Sequence, residues 1–199
     1  MAIATDCLSH VRSFIPHERL NIQKIVCLGL GPVRDSRAAQ LQLAFLLLLR
    51  EVLVETSGTS GDQVPTVAFD PIFDEDDWAV LSNYSVLSCK DAEEDDRLVA
   101  SQSTVFFMPH CERTLYEKLW SLNSLRDTSH NVILIGNDHQ LYDMSATDSH
   151  LAAEAPSIAR LLPRLKCYPI PDAPKPMTEA FQSQAFQWVA DAPAAERLP

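Results

Sequence analysis

The side chains suited to chemistry stand where apolar runs end. Gly29 and Gly31 frame a Gly-Leu-Gly turn behind Ile25 to Leu28, and Asp70-Pro71 follows Val64 to Phe69. Pro109-His110-Cys111 follows Thr104 to Met108, and Gly136-Asn137-Asp138-His139 follows Val132 to Ile135. Residues without a Cβ admit positive φ and close backbone approach, which a phosphate or carboxylate needs in order to reach backbone N–H groups. With an acid at the end of the second run for ribose hydroxyls, Gly29, Gly31 and Asp70 are the candidate cofactor-binding residues for a nucleotide or S-adenosylmethionine. The outline departs from the dinucleotide pattern in three ways. Arg34 stands at the third glycine position, Pro32 removes a backbone donor, and Asp70 lies about twice the usual spacing of roughly 20 residues from the first glycine.

His110, Cys111 and Asn137 are the candidate catalytic residues. Cys111 opens a helical pattern, and a helix N-terminus lowers a thiol pKa; His139 then offers a base and Asn137 an orienting group. The competing reading is that Cys111 packs as a small hydrophobe, while adjacent His110 and Cys111 point in different directions. Cys27, His110, Cys111 and His139 are the right types for a metal or haem, but no two show a recognised ligand spacing, so no metal site is expected.

The elements that position these residues follow from periodicity. A helix is expected from about Arg37 to Val54, capped by Asp35 or Ser36, with so little polar face that it must be covered nearly all round. An acid-capped helix is expected over Phe73 to Tyr84, a short strand over Ser85 to Ser88, and a helix from Glu112 to Asn123. Asp91 to Arg97 reads as a charged, solvated connection. Beyond Ser149 a helix is expected over Leu151 to Leu162, an edge strand over Lys166 to Ile170, and a last helix carrying Phe181, Phe186, Trp188 and Val189. The alternation implies a single α/β domain: a doubly wound, mostly parallel, Rossmann-like sheet with helices on both faces, whose ligand crevice lies beyond the carboxyl ends of the strands. Residues 1–20 read as an N-terminal helical segment with Leu8, Val11 and Phe14 on one side. Residues 21–170 read as the domain, and 171–199 as a Pro-rich segment with a C-terminal helix and a frayed tail.

Composition narrows the partners. A hydrophobic content of 46% over 199 residues supports a globular core. The formal charge of −11 repels phosphate backbones, so direct nucleic-acid binding is not expected and basic protein partners are favoured. Five scattered cysteines without a Cys-x-x-Cys pair fit a reducing compartment. The most apolar stretch, Leu43 to Leu49, is too short to span a bilayer, so a cytosolic or nuclear protein with no membrane partner is expected.

Taken in order, Cys27-Leu-Gly-Leu-Gly-Pro32, Gln40-Leu-Gln-Leu43, Phe69-Asp-Pro71, Met108-Pro-His-Cys111 and Ile135-Gly-Asn137 resemble the Sensitivity to Red Light Reduced family. The resemblance implies a regulatory protein of eukaryotic cells, linked to circadian-clock and light signalling and to control of haem biosynthesis, without an established catalytic activity. Its motif positions here are Gly29, Gly31, Asp70, Pro109, His110, Cys111, Gly136 and Asn137. Cys111 is followed by Glu112, so no Cys-Pro haem-regulatory dipeptide occurs at this turn. A small-molecule ligand in the crevice, of unassigned cofactor type, is the enzymatic alternative.

Overall fold

The computed structural model describes residues 21–57, 64–145, 148–170 and 178–190. The expected N-terminal helical segment, residues 58–63 and 146–147, and the Pro-rich stretch and tail expected at 171–177 and 191–199 lie outside them. Among the described residues, seven strands form one sheet: β1 Lys24–Leu28, β2 Thr66–Phe69, β3 Val86–Ser88, β4 Thr104–Met108, β5 Val132–Asn137, β6 Leu165–Pro169 and β7 Gln184–Val189. Their order is β3-β2-β1-β4-β5-β7-β6. The first five are parallel, and β7 runs antiparallel to both β5 and β6.

The helices are α1 Arg37–Ser57, α2 Glu75–Asn83, α3 Glu94–Leu98, α4 Arg113–Leu125, α5 Gln140–Ser145, α6 Asp148–Glu154, α7 Pro156–Leu161 and α8 Thr178–Phe181. Ser36, not Asp35, caps α1, its hydroxyl accepting from the Ala39 N–H at 3.2 Å. Asp74 and Asp77 form a capping box at α2, each carboxylate accepting the other residue's N–H.

Strand alternation splits the core in two. Ile25, Cys27, Val105 and Phe107 face α1, which buries Leu43, Leu46, Leu49, Val52 and Leu53 against them. Val26, Phe106 and Leu134 face the other way, against Tyr116, Leu119 and Trp120 of α4 and Ile158 of α7. Each fully buried large side chain contributes about 1.5–3 kcal/mol over its exposed state, so both faces hold the strand ends rigidly.

One expectation is corrected and another refined. The last helix is instead β7, buried at every residue and inserted between β5 and β6. Phe186 and Trp188 join the core under α1 while Val189 joins the opposite one, a two-residue alternation that only a strand permits. Phe181 belongs to the separate turn α8, its ring 5.2 Å from Phe45. The Asp91 to Arg97 connection is solvent-exposed up to Asp96, and its second half forms helix α3, closed by the fully buried Leu98.

Candidate functional site

The glycine turn is closed from within. Gly29 and Gly31 both adopt positive φ, +68° and +81°. The Gly31 N–H donates to Asp70 Oδ2 at 2.9 Å, while Asp70 Oδ1 accepts from the Ile72 N–H at 3.1 Å. The buried Asp70 therefore ties the β1 turn to the end of β2. Further along, the Arg34 N–H donates to the Asp77 carboxylate at 3.1 Å, so the N-terminus of α2 also holds this turn.

Cys111 completes the closure. Its sulfur sits 2.5 Å from the position a Cβ on Gly29 would occupy, and its thiol donates to the Leu28 carbonyl at 3.4 Å. Burial, with the Asp70 and Glu112 carboxylates, pushes the thiol up to about 12. This is the reverse of the lowering expected at a helix start: desolvation and two anions outweigh the dipole. Cys27, in mid-strand below it, is raised as well by burial.

His110 turns away into a second cluster. Its backbone is left-handed, φ +54°. Its Nδ1 lies 3.3 Å from Gln184 Nε2 and its Nε2 lies 3.2 Å from the Ala180 carbonyl; an amide donor on one side and a carbonyl on the other select the Nε2–H tautomer. Gln184 also donates to Asn137 Oδ1 at 2.8 Å, and Asn137 Nδ2 donates to the Cys111 carbonyl at 3.2 Å. Asn137 thereby joins the two clusters.

Beneath them lies a buried polar layer. Gln187 Nε2 donates to the Asn137 carbonyl and Gln187 Oε1 accepts from the His139 N–H, both at 2.9 Å. His139 Nε2 accepts from Trp120 Nε1 at 3.0 Å, its ring stacks on Tyr142, and burial pushes its pKa down to about 3. The ring is engaged by α4 and α5 and is neutral, which removes it as a base for Cys111. The Tyr116 hydroxyl bridges β4 and β5, donating to the Met108 carbonyl and accepting from the Asn137 N–H.

Gly29, Gly31, Asp70 and Cys111 thus meet at one side of the rim, and His110 and Asn137 at the other. Gln184, Gln187, Tyr116 and Trp120 were not legible as site residues; two glutamines inside an otherwise apolar run were the available signal. Among the described residues no group of three or more His, Cys, Asp or Glu is arranged to hold a metal ion. No described helix is long and apolar enough to cross a membrane.

A mostly parallel α/β sheet with a glycine turn, an Asp-Pro strand end and a Pro-His-Cys turn along one edge defines the class of protein. The SRR1 domain matches residues 9–188, and the chain belongs to that family. It is 34% identical over 145 residues to the SRR1-like protein of Mus musculus, covering 71% of this chain and 55% of the relative. To Protein SENSITIVITY TO RED LIGHT REDUCED 1 of Arabidopsis thaliana it is 30% identical over 122 residues, 60% of this chain and 41% of the relative. To the SRR1-like protein of Drosophila melanogaster it is 30% identical over 143 residues, covering 67% and 46%. The chain spans about half the length of these curated relatives. No solved structure matches it.

Proposed function

We propose that this chain is a regulatory module acting through protein partners on a doubly wound, Rossmann-like scaffold, in the light and circadian signalling and haem-biosynthesis control that the family resemblance implies. One observation carries the reading. The backbone donor that a nucleotide phosphate would seek, the Gly31 N–H, is spent on Asp70, and the Cys111 thiol fills the space beside Gly29. A phosphate arriving there would have to displace a carboxylate already hydrogen-bonded on both oxygens. Protonated Cys111 and neutral, engaged His139 support the same reading, since neither is poised for nucleophilic chemistry at neutral pH. The charge of −11 favours a partner with a basic surface, met in the cytosol or nucleus.

The second reading is an enzyme using the other side of the rim. It is favoured by a cavity of about 420 Å³ bordered by His110, Asn137, Asp138 and Tyr142, beside the left-handed backbone of His110. Expression of the chain in eukaryotic cells lacking their own family member separates the two. Wild type, His110→Ala and Cys111→Ala, each verified as folded, should restore clock period and haem-biosynthetic transcripts equally under the regulatory reading. Failure of a folded His110→Ala variant alone would favour the enzyme.

A further inference from the structure

A second cavity, of about 270 Å³, opens where β1 and β2 end beneath α3 and α4. Leu28, Phe69, Leu98 and Leu115 give it apolar walls, and Arg97 and Glu94 stand among its lining residues. The Arg97 guanidinium carbon lies 3.9 Å from the centre of the Phe69 ring, a cation–π stack that holds the charge against an apolar wall. Glu94 is engaged elsewhere: its carboxylate accepts from Lys118 Nζ at 2.9 Å, and Lys118 also pairs with Asp95 at 2.7 Å. Among the described residues no carboxylate pairs with Arg97, and its Nε is buried without a hydrogen-bond partner. What sets Arg97 apart from the other basic side chains is its place: it lines a cavity, stacks on Phe69 and buries an unpartnered Nε.

We infer that this cavity binds a small organic monocarboxylate with an aromatic or alicyclic body, its carboxylate paired with Arg97 and its body against Phe69 and the leucines. The side of a guanidinium formed by Nε and one Nη matches a carboxylate with two parallel hydrogen bonds. Re-aiming Arg97 at an arriving carboxylate also gives the orphaned Nε its partner, removing the cost of a buried unpaired donor. At about 270 Å³ the cavity lies just below the range of drug-sized pockets, about 300–1,000 Å³, which suits a single ring and not a dinucleotide. Glu94 at the same mouth and the overall negative charge penalise a dianion more than a monoanion, which selects carboxylate over phosphate. The site lies on the face of the sheet opposite α1; it borders Gly29 but does not use the spent donor of Gly31.

Titration of the full chain with phenylacetate, followed by methyl NMR of Leu28, Leu98 and Leu115, tests this. Saturable shifts are expected, at least tenfold weaker for neutral phenylacetamide, at least tenfold weaker in Arg97→Gln, and unaffected by an excess of inorganic phosphate. Absence of saturation, equal binding of acid and amide, unchanged binding by a folded Arg97→Gln, or equal competition by phosphate would each overturn the assignment. Should Arg97→Gln not fold, Leu115→Trp fills the cavity from its half-buried wall and leaves the cation in place. Binding must then disappear, and binding retained in that variant overturns the proposal.

Discussion

Cys111 and His110 are neighbours in the chain, yet they close two regions of the same rim by different physics. Around Cys111, Gly29 and Asp70 the closure is mainly steric: a thiol occupies the place of the missing Cβ, and one carboxylate hydrogen-bonds the turn. Around His110 and Asn137 it is a hydrogen-bonded lattice, running through Gln184 and Gln187 to His139 and Trp120. A packed region fails when volume is added, whereas a hydrogen-bonded one fails when a partner is removed and its counterpart stays buried. The two regions therefore predict different mutational and pH signatures.

The largest effect should come from the packed side. Gly29→Val places a branched side chain at φ +68° against a sulfur 2.5 Å away, and overpacking and backbone strain together should lower stability by about 4 kcal/mol in denaturant titration. Adding Cys111→Ala should recover the packing share and leave the backbone share, so the two substitutions should not be additive. An unchanged midpoint would show that the turn does not need glycine.

On the bonded side, Gln187→Leu keeps the volume but orphans the Asn137 carbonyl and the His139 N–H, at about 1–3 kcal/mol each. A loss of about 3 kcal/mol is expected, with the near-ultraviolet signal of Trp120 altered. No comparable change is expected from Cys111→Ala, which orphans nothing buried but the Leu28 carbonyl.

The pH dependence sharpens the contrast. The His139 pKa is about 3 when folded against 6.5 when unfolded, so below pH 6.5 the unfolded chain takes up the proton first. Stability from this group is complete above about pH 6.5 and falls on acidification, with a slope approaching about 1.4 kcal/mol per pH unit, until the folded value is passed. His139→Phe should flatten that slope relative to wild type, and an identical slope in both would contradict the buried neutral ring.

Asp70→Ala should have the smallest effect, about 1–2 kcal/mol, because the Gly31 and Ile72 N–H groups it releases lie near the rim, where water replaces it. Hydrogen exchange should quicken at Gly31 and Ile72 and stay unchanged at Asn137 and His139.

The same division explains what was legible in the amino-acid order. The parallel half announces itself through apolar runs ended by glycine or Asp-Pro, and β4 spans the same Thr104 to Met108 in both views. Gly29 and Asp70 were readable because a turn geometry and a strand end demand those residue types. Strand β7 was not, since Phe186, Trp188 and Val189 viewed without Gln184 and Gln187 suggest a buried face of either kind, and only antiparallel pairing with β5 decides it. Buried glutamines disclose their role only when their partners are placed. The sign of the Cys111 shift was equally hidden, because Asp70 lies far away in the chain and beside the sulfur in space. Arg97 read as part of a solvated run because its stack on Phe69 is a tertiary contact.

The most direct test of the central claim, that the turn is occupied by the chain's own groups, is a thermal-shift titration with S-adenosylmethionine, nicotinamide dinucleotides and adenosine diphosphate. It is run on wild type, on Asp70→Ala, and on Asp70→Ala with Gly31→Ala. Wild type should show no saturable rise in melting temperature with any of them. A saturable rise in wild type that Asp70→Ala abolishes would contradict the account, because Asp70 would then be serving a ligand and not the turn.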